Sequence, residues 1–327
     1  MFWIVGADSV VQALGRAQGG LAAFFAEQLE HVPFEGFRFY DLVFPLFVFI
    51  LGVSVVLSLD KILLREGRAA ALGRILRRAA LLFLLGVFSD GGFAAPPDQN
   101  VLCGVLQRLA LCYLFTSLLY CWLKPRALLG AFFALLLGYW ALLCFVPIPG
   151  IGVSLTPEAN WPKFIDELLP PYHLEDAEGW LSTLPAVASC LLGVFAALLL
   201  KDSAIAEEKK ACGFVAGGVL LAALGCAWGL QFPVVKRLWT SSYVLVAGGW
   251  SFALLGVFYY IIDIKKRQAW AQPFVWIGVN PLTIYLAWDL VDFRGLAERL
   301  AGGPLIALAL CLLSAWFLYR KQVFLRL

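Results

Sequence analysis

Residues 40–59 read YDLVFPLFVFILGVSVVLSL, twenty positions whose single charge, Asp41, sits at the outer edge. Wound as a helix at 1.5 Å per residue, such a run reaches ~30 Å, the thickness of the hydrocarbon core of a bilayer. It is apolar on every face, as a helix surrounded by lipid or by other helices must be. Runs of the same kind recur at roughly 79–93, 101–122, 127–147, 181–200, 212–231, 242–263, 272–290 and 304–319. A tenth, at 2–14, would extend only ~20 Å as a helix and carries Asp8 in its middle. Hydrophobic residues fill 62% of the 327 positions and charged ones 14%, against about 25% charged in soluble domains. The expected fold is therefore all-α: one polytopic membrane bundle over 1–327, of about 10 transmembrane helices.

Basic residues orient the bundle, because cytoplasmic loops carry an excess of Lys and Arg. The stretch after the first long run holds Lys61, Arg65, Arg68, Arg74, Arg77 and Arg78. Alternation puts Lys124, Arg126, Lys201, Lys209, Lys210, Lys265, Lys266, Arg267, Arg320, Lys321 and Arg326 on the same side, seventeen of the 25 Lys and Arg in all. That side is expected to be cytoplasmic. Residues 15–38 and the polar loop 148–180 then face outward, toward periplasm or a lumen.

A net charge of +3 is too small to point to a nucleic-acid partner. The eight Cys residues lie mostly inside apolar runs, where Cys behaves as a small hydrophobe. No CxxC or Cys/His spacing points to a metal. The opening MFWIVGADSVV has neither a basic start nor a small-residue cleavage site, so it does not read as a signal peptide.

Polar groups inside spans need a reason, since a charge near a helix centre costs ~2.5–3.5 kcal/mol on insertion scales. Asp90, Asp289 and Asp292 close their runs and read as interfacial residues. Asn280, with Pro281 behind it, serves either a kink or a site. Arg108, in VLQRLALCY, calls for a buried ion partner or an anionic ligand. A transporter for a small polar or anionic solute would bury such groups as readily as an enzyme. Of the two histidines, His173 falls in the outward loop and His31 lies ten residues before Asp41.

The run HVPFEGFRFYDLVFPLFVFILGVS, residues 31–54, resembles the signature of the heparan-alpha-glucosaminide N-acetyltransferase family and its bacterial relatives. The shared pattern is a His, a Gly five residues on, an Asp five beyond, then LVFP: here His31, Gly36, Asp41 and Leu42 to Pro45. GVLQRLALCY (104–113), DAEGWLSTLPAVASCLLGV (176–194), KRLWTSSYVL (236–245) and GVNPLTIYL (278–286) resemble the same family, in the same order. Relatives usually carry a Leu-Asp-x-x-Arg-Gly element before a segment like MFWIVGAD, so the first helix is expected to be N-terminally truncated.

The resemblance implies a transmembrane acyltransferase in a bacterial inner membrane. Such an enzyme moves an acetyl group from cytoplasmic acetyl-CoA to a sugar or glycan acceptor on the outer side, without a metal. His31 would be the general base or a transient acyl carrier, Asp41 would orient it, and Arg108 and Asn280 would line the cofactor path. The lipid bilayer, acyl-CoA and the acceptor are the implied partners, with room left for a homo-oligomer. The rivals are the transporter and a non-catalytic assembly protein.

Overall fold

Long apolar stretches rich in Leu, Ala and Phe have one way to satisfy their backbone groups in lipid, and the chain takes it: helix follows helix. The computed structural model describes residues 1–18, 20–90, 103–168, 179–291, 293, 295 and 303–324. Its helices are α1 (Asp8–Gln18), α2 (Gly20–Gln28), α3 (Phe39–Arg65), α4 (Gly67–Ser89), α5 (Val105–Trp122), α6 (Pro125–Phe145) and α7 (Trp161–Leu168). There follow α8 (Thr183–Lys201), α9 (Glu207–Gly229), α10 (Ser241–Phe258), α11 (Gln272–Val279), α12 (Pro281–Leu290) and α13 (Pro304–Arg320). Among the described residues, α3, α5, α6, α8, α9 and α10 with its continuation to Ile264 are the six long and apolar enough to cross a membrane.

The other expected spans take different forms. Instead of a loop over 61–78, α3 continues to Arg65 and α4 starts at Gly67, with Glu66 between them. Lys and Arg are good helix formers with long apolar stems, so a basic run need not end a helix. The run 272–290 is two helices, because Asn280 leaves the helical region (φ −126°, ψ 50°) and Pro281 opens the next helix. At the start, Gly6 (φ +108°) breaks a wide turn over Trp3–Ala7. Asp8 consequently opens α1 and is not in the middle of a span.

The chain divides into two compact units. One comprises Met1–His31, Arg38–Val43 and Tyr259–Leu327. In it α1 packs on α2, and Val5, Ile277, Ile284, Cys311 and Ala315 form a buried cluster. The other comprises Val32–Phe37 and Phe44–Phe258. Its central helix is α8, which buries residues on every face and touches α5, α6 and α10. Close helix approach there depends on small residues. A Cβ on Gly52 of α3 would run into the Cys190 carbonyl oxygen, and one on Gly193 of α8 into the Phe49 carbonyl oxygen. Gly218 and Gly225 of α9 and Gly249 and Gly256 of α10 do the same for the α9–α10 pair. Ser89 to Asp90 end α4, and the start of the expected 101–122 span lies outside the described residues.

Candidate active site

The first turn of α3 decides where the signature residues sit. A helix start leaves backbone N–H groups without intrahelical partners. Here Phe39 N donates to Gln28 Oε1 (3.3 Å), and Arg38 N donates to Asp41 Oδ2 (3.1 Å). The second bond is the return half of a capping box, and a carboxylate at this end also suits the helix dipole. Asp41 is fully buried, and its other oxygen, Oδ1, lies 2.7 Å from His31 Nδ1. Facing a carboxylate, Nδ1 carries the hydrogen, which leaves Nε2 as the basic nitrogen. The His31 side chain is 48% exposed.

The ten-residue spacing from His31 to Asp41 is thus the length of chain that leaves α2, turns and enters α3. Gly36 sits in that turn at φ +122°, where an L side chain is strained. Its N–H donates to the Val234 carbonyl (2.9 Å), and Glu35 pairs with Val235 as a single β-bridge. Arg38 donates to Glu27 Oε1 (2.7 Å) and to the His31 carbonyl (3.4 Å), tying α2 to the start of α3.

Tyr40 joins His31, with Asp8 behind it, and neither was a site candidate in the sequence. The Tyr40 ring is 4.7 Å from the imidazole, tilted at 45°. Its hydroxyl donates to Asp8 Oδ2 (3.2 Å), while Asp8 Oδ1 accepts from Ser9 N (2.7 Å). Tyr40 stood beside Asp41 in the signature, but Asp8 is 32 residues away and showed itself only as a charge in an apolar stretch. For the acyl transfer that the signature implies, replacing Tyr40 by Phe should keep the ring contact and cost little activity. Tyr40→Leu should lower it by up to about tenfold, since an aromatic pair is worth ~0.5–1.5 kcal/mol. Initial rates of the two variants, compared at equal protein, check this.

Arg108 and Asn280 have other contacts. Arg108, on α5, is fully buried. Its Nη2 donates to the Gly179 carbonyl (2.5 Å) and Ser182 Oγ (2.8 Å), and its guanidinium lies 5.6 Å from the Trp239 ring centre. Asp166 of α7 accepts from Trp180 N (2.9 Å) next to that turn. Burial pushes the Asp166 carboxyl above its ordinary value, with the Trp180 N–H and Arg108 pulling the other way. Asn280, 1% exposed between α11 and α12, donates through Nδ2 to the Val323 carbonyl (2.8 Å). His173 and Asp292 lie outside the described residues, as does the side chain of Asp289.

The family model described as heparan-alpha-glucosaminide N-acetyltransferase, catalytic, matches residues 23–220, well over half the chain. The chain belongs to this family. The match covers His31, Gly36, Asp41 and Arg108 and stops short of Asn280. Heparan-alpha-glucosaminide N-acetyltransferase of Homo sapiens is 30% identical over 369 aligned positions, covering 90% of this chain and 55% of the human protein. The Mus musculus protein of the same name is also 30% identical, over 90% of this chain and 56% of its own length. The chain thus spans about half the length of the curated relatives it matches. Family membership and the six long apolar helices make it an integral, multi-pass membrane protein.

Proposed function

We propose that the chain is a transmembrane acyltransferase that transfers an acetyl group from acetyl-CoA to a sugar or glycan acceptor. The observation that carries this reading is the His31–Asp41 pair, held at 2.7 Å inside the region matched by the N-acetyltransferase family. His31 Nε2 accepts the proton from the acceptor amine or hydroxyl as that group attacks the thioester carbonyl carbon. The tetrahedral adduct collapses, the C–S bond breaks, and the imidazolium returns its proton to the departing thiolate. Asp41 holds Nδ1–H in place and stabilises the imidazolium while it exists, as the carboxylate of a catalytic triad does.

Acetyl-CoA approaches from the face that the basic residues mark as cytoplasmic, and the acceptor from the other. In a bacterium that arrangement places the protein in the inner membrane, as one domain running through 1–327. Arg108 and Asn280 are candidates for the polar lining of the cofactor path. Purified protein incubated with acetyl-labelled acetyl-CoA and a panel of amino sugars and glycans tests the whole reading. Label appearing on an amino sugar or glycan supports it. Solute counterflow in proteoliposomes, with no acyl transfer and no acetyl-CoA hydrolysis, would replace the enzyme by a transporter.

A further inference from the structure

Four cations on the helices hold partners within the protein. Arg74 holds Glu66 through two bonds (2.8 and 2.9 Å), Lys201 pairs with Asp60, Lys210 donates to Glu207 and the Leu200 carbonyl, and Arg108 to Gly179 and Ser182. Arg78 is different. It sits midway along α4, one turn beyond Arg74, on a helix whose neighbouring positions Ile75, Ala79 and Leu82 are buried. Its guanidinium carbon lies 4.7 Å from the centre of the Tyr113 ring on α5, and Tyr113 is 2% exposed within the core that joins α3, α4 and α5. Arg78 Nε is buried and meets no hydrogen-bond partner among the described residues, and Arg78 forms no ion pair among them.

A guanidinium placed among apolar side chains is costly unless its donors and its charge are met. Stacking on Tyr113 serves the face of the group and fixes its plane. The buried Nε–H remains to be served, and the guanidinium edge that carries it matches an oxyanion with two oxygens to offer. Arg78 also belongs to the basic segment that orients the chain, so the anion comes from the cytoplasmic side.

We propose that Arg78, stacked on Tyr113 between α4 and α5, is a binding site for a phosphate group. The phosphate belongs to one of two ligands: the nucleotide end of acyl-CoA, which rests on the acyltransferase reading above, or a phospholipid headgroup of the adjacent leaflet, which does not. Both offer the same oxyanion to the same fork.

Affinity measurements on the full chain in neutral detergent separate them. Free CoA is titrated calorimetrically without acceptor, and retention of phosphatidylglycerol is read by native mass spectrometry. Arg78→Gln should weaken one of these by about tenfold or more, since two charge-assisted hydrogen bonds are lost. Arg78→Lys, which keeps the charge and loses the fork, should fall between Arg78→Gln and the parent, and serves alone if Arg78→Gln does not fold. Arg74→Gln, whose guanidinium is already held by Glu66, should stay within about twofold of the parent. A loss confined to CoA assigns the site to the acyl donor, and a loss confined to the lipid assigns it to the headgroup. Unchanged affinity for both ligands in Arg78→Gln, or in Arg78→Lys where only that folds, overturns the proposal. The CoA titration needs no acceptor, so a parent protein that binds CoA through Arg78 yet labels no acceptor in the acetyl-CoA assay would defeat the acyltransferase reading and leave this site standing.

Discussion

His31→Gln should reduce acetyl transfer by ~10²–10⁴-fold, the usual contribution of a general acid–base group, while acetyl-CoA affinity and folding stay near the parent's. Gln is close in size, the side chain is half exposed, and the α3 start keeps its bonds from Arg38 and Phe39. Asp41→Asn retains the shape but removes the charge behind Nδ1, and it should also slow the reaction. The two residues act as one unit, so the double variant should be little slower than His31→Gln alone. Losses that multiply would mean that the pair does not work as a pair. Full turnover by well-folded His31→Gln protein would return His31 to an ordinary interfacial role.

The second large effect is structural. Gly193→Val should destabilise the second unit by about 3 kcal/mol, at the upper end of what overpacking costs. The added side chain would enter the Phe49 carbonyl, and α3 and α8 would have to part at their closest approach. Gly213→Ala on α9 is the matched control: its Cβ would meet nothing within 4 Å, and Ala is the better helix former. Thermal unfolding of the purified proteins should show a clear drop for the first and none for the second. A Gly193→Val protein with the parent's midpoint would mean that the α3–α8 contact adapts freely.

The centres of the long spans were legible because lipid demands twenty apolar residues in a row, and few other structures do. Their ends were not. The basic residues from Lys61 to Arg77 look like a loop in one dimension, yet they extend α3 and α4, because the charge rides on a flexible stem that reaches water from within a helix. The Asn280–Pro281 break was visible as an interruption, but a kink and a full separation into α11 and α12 look alike in sequence.

For the site, composition alone left His31 unremarkable, and the family pattern singled it out. The contact with Asp41 follows from a loop whose length can be counted. Tyr40 with Asp8, and Arg108 with Gly179 and Ser182, are contacts across 32, 71 and 74 residues, and no periodicity encodes those. The Gly52–Gly193 approach is equally silent, since a glycine in an apolar helix declares its purpose only when the neighbouring backbone is known.

Asp41 divides its two oxygens between different tasks: Oδ2 caps α3 and Oδ1 holds the imidazole. Selection for abundance and selection for turnover therefore press on the same atom group. In a library screened only for expression level, on a His31→Gln background with no chemistry left to protect, Asp41 should still resist replacement while Tyr40 drifts. Persistence of this aspartate among relatives would then say little about whether a given member still catalyses, and the histidine beside it would be the better witness.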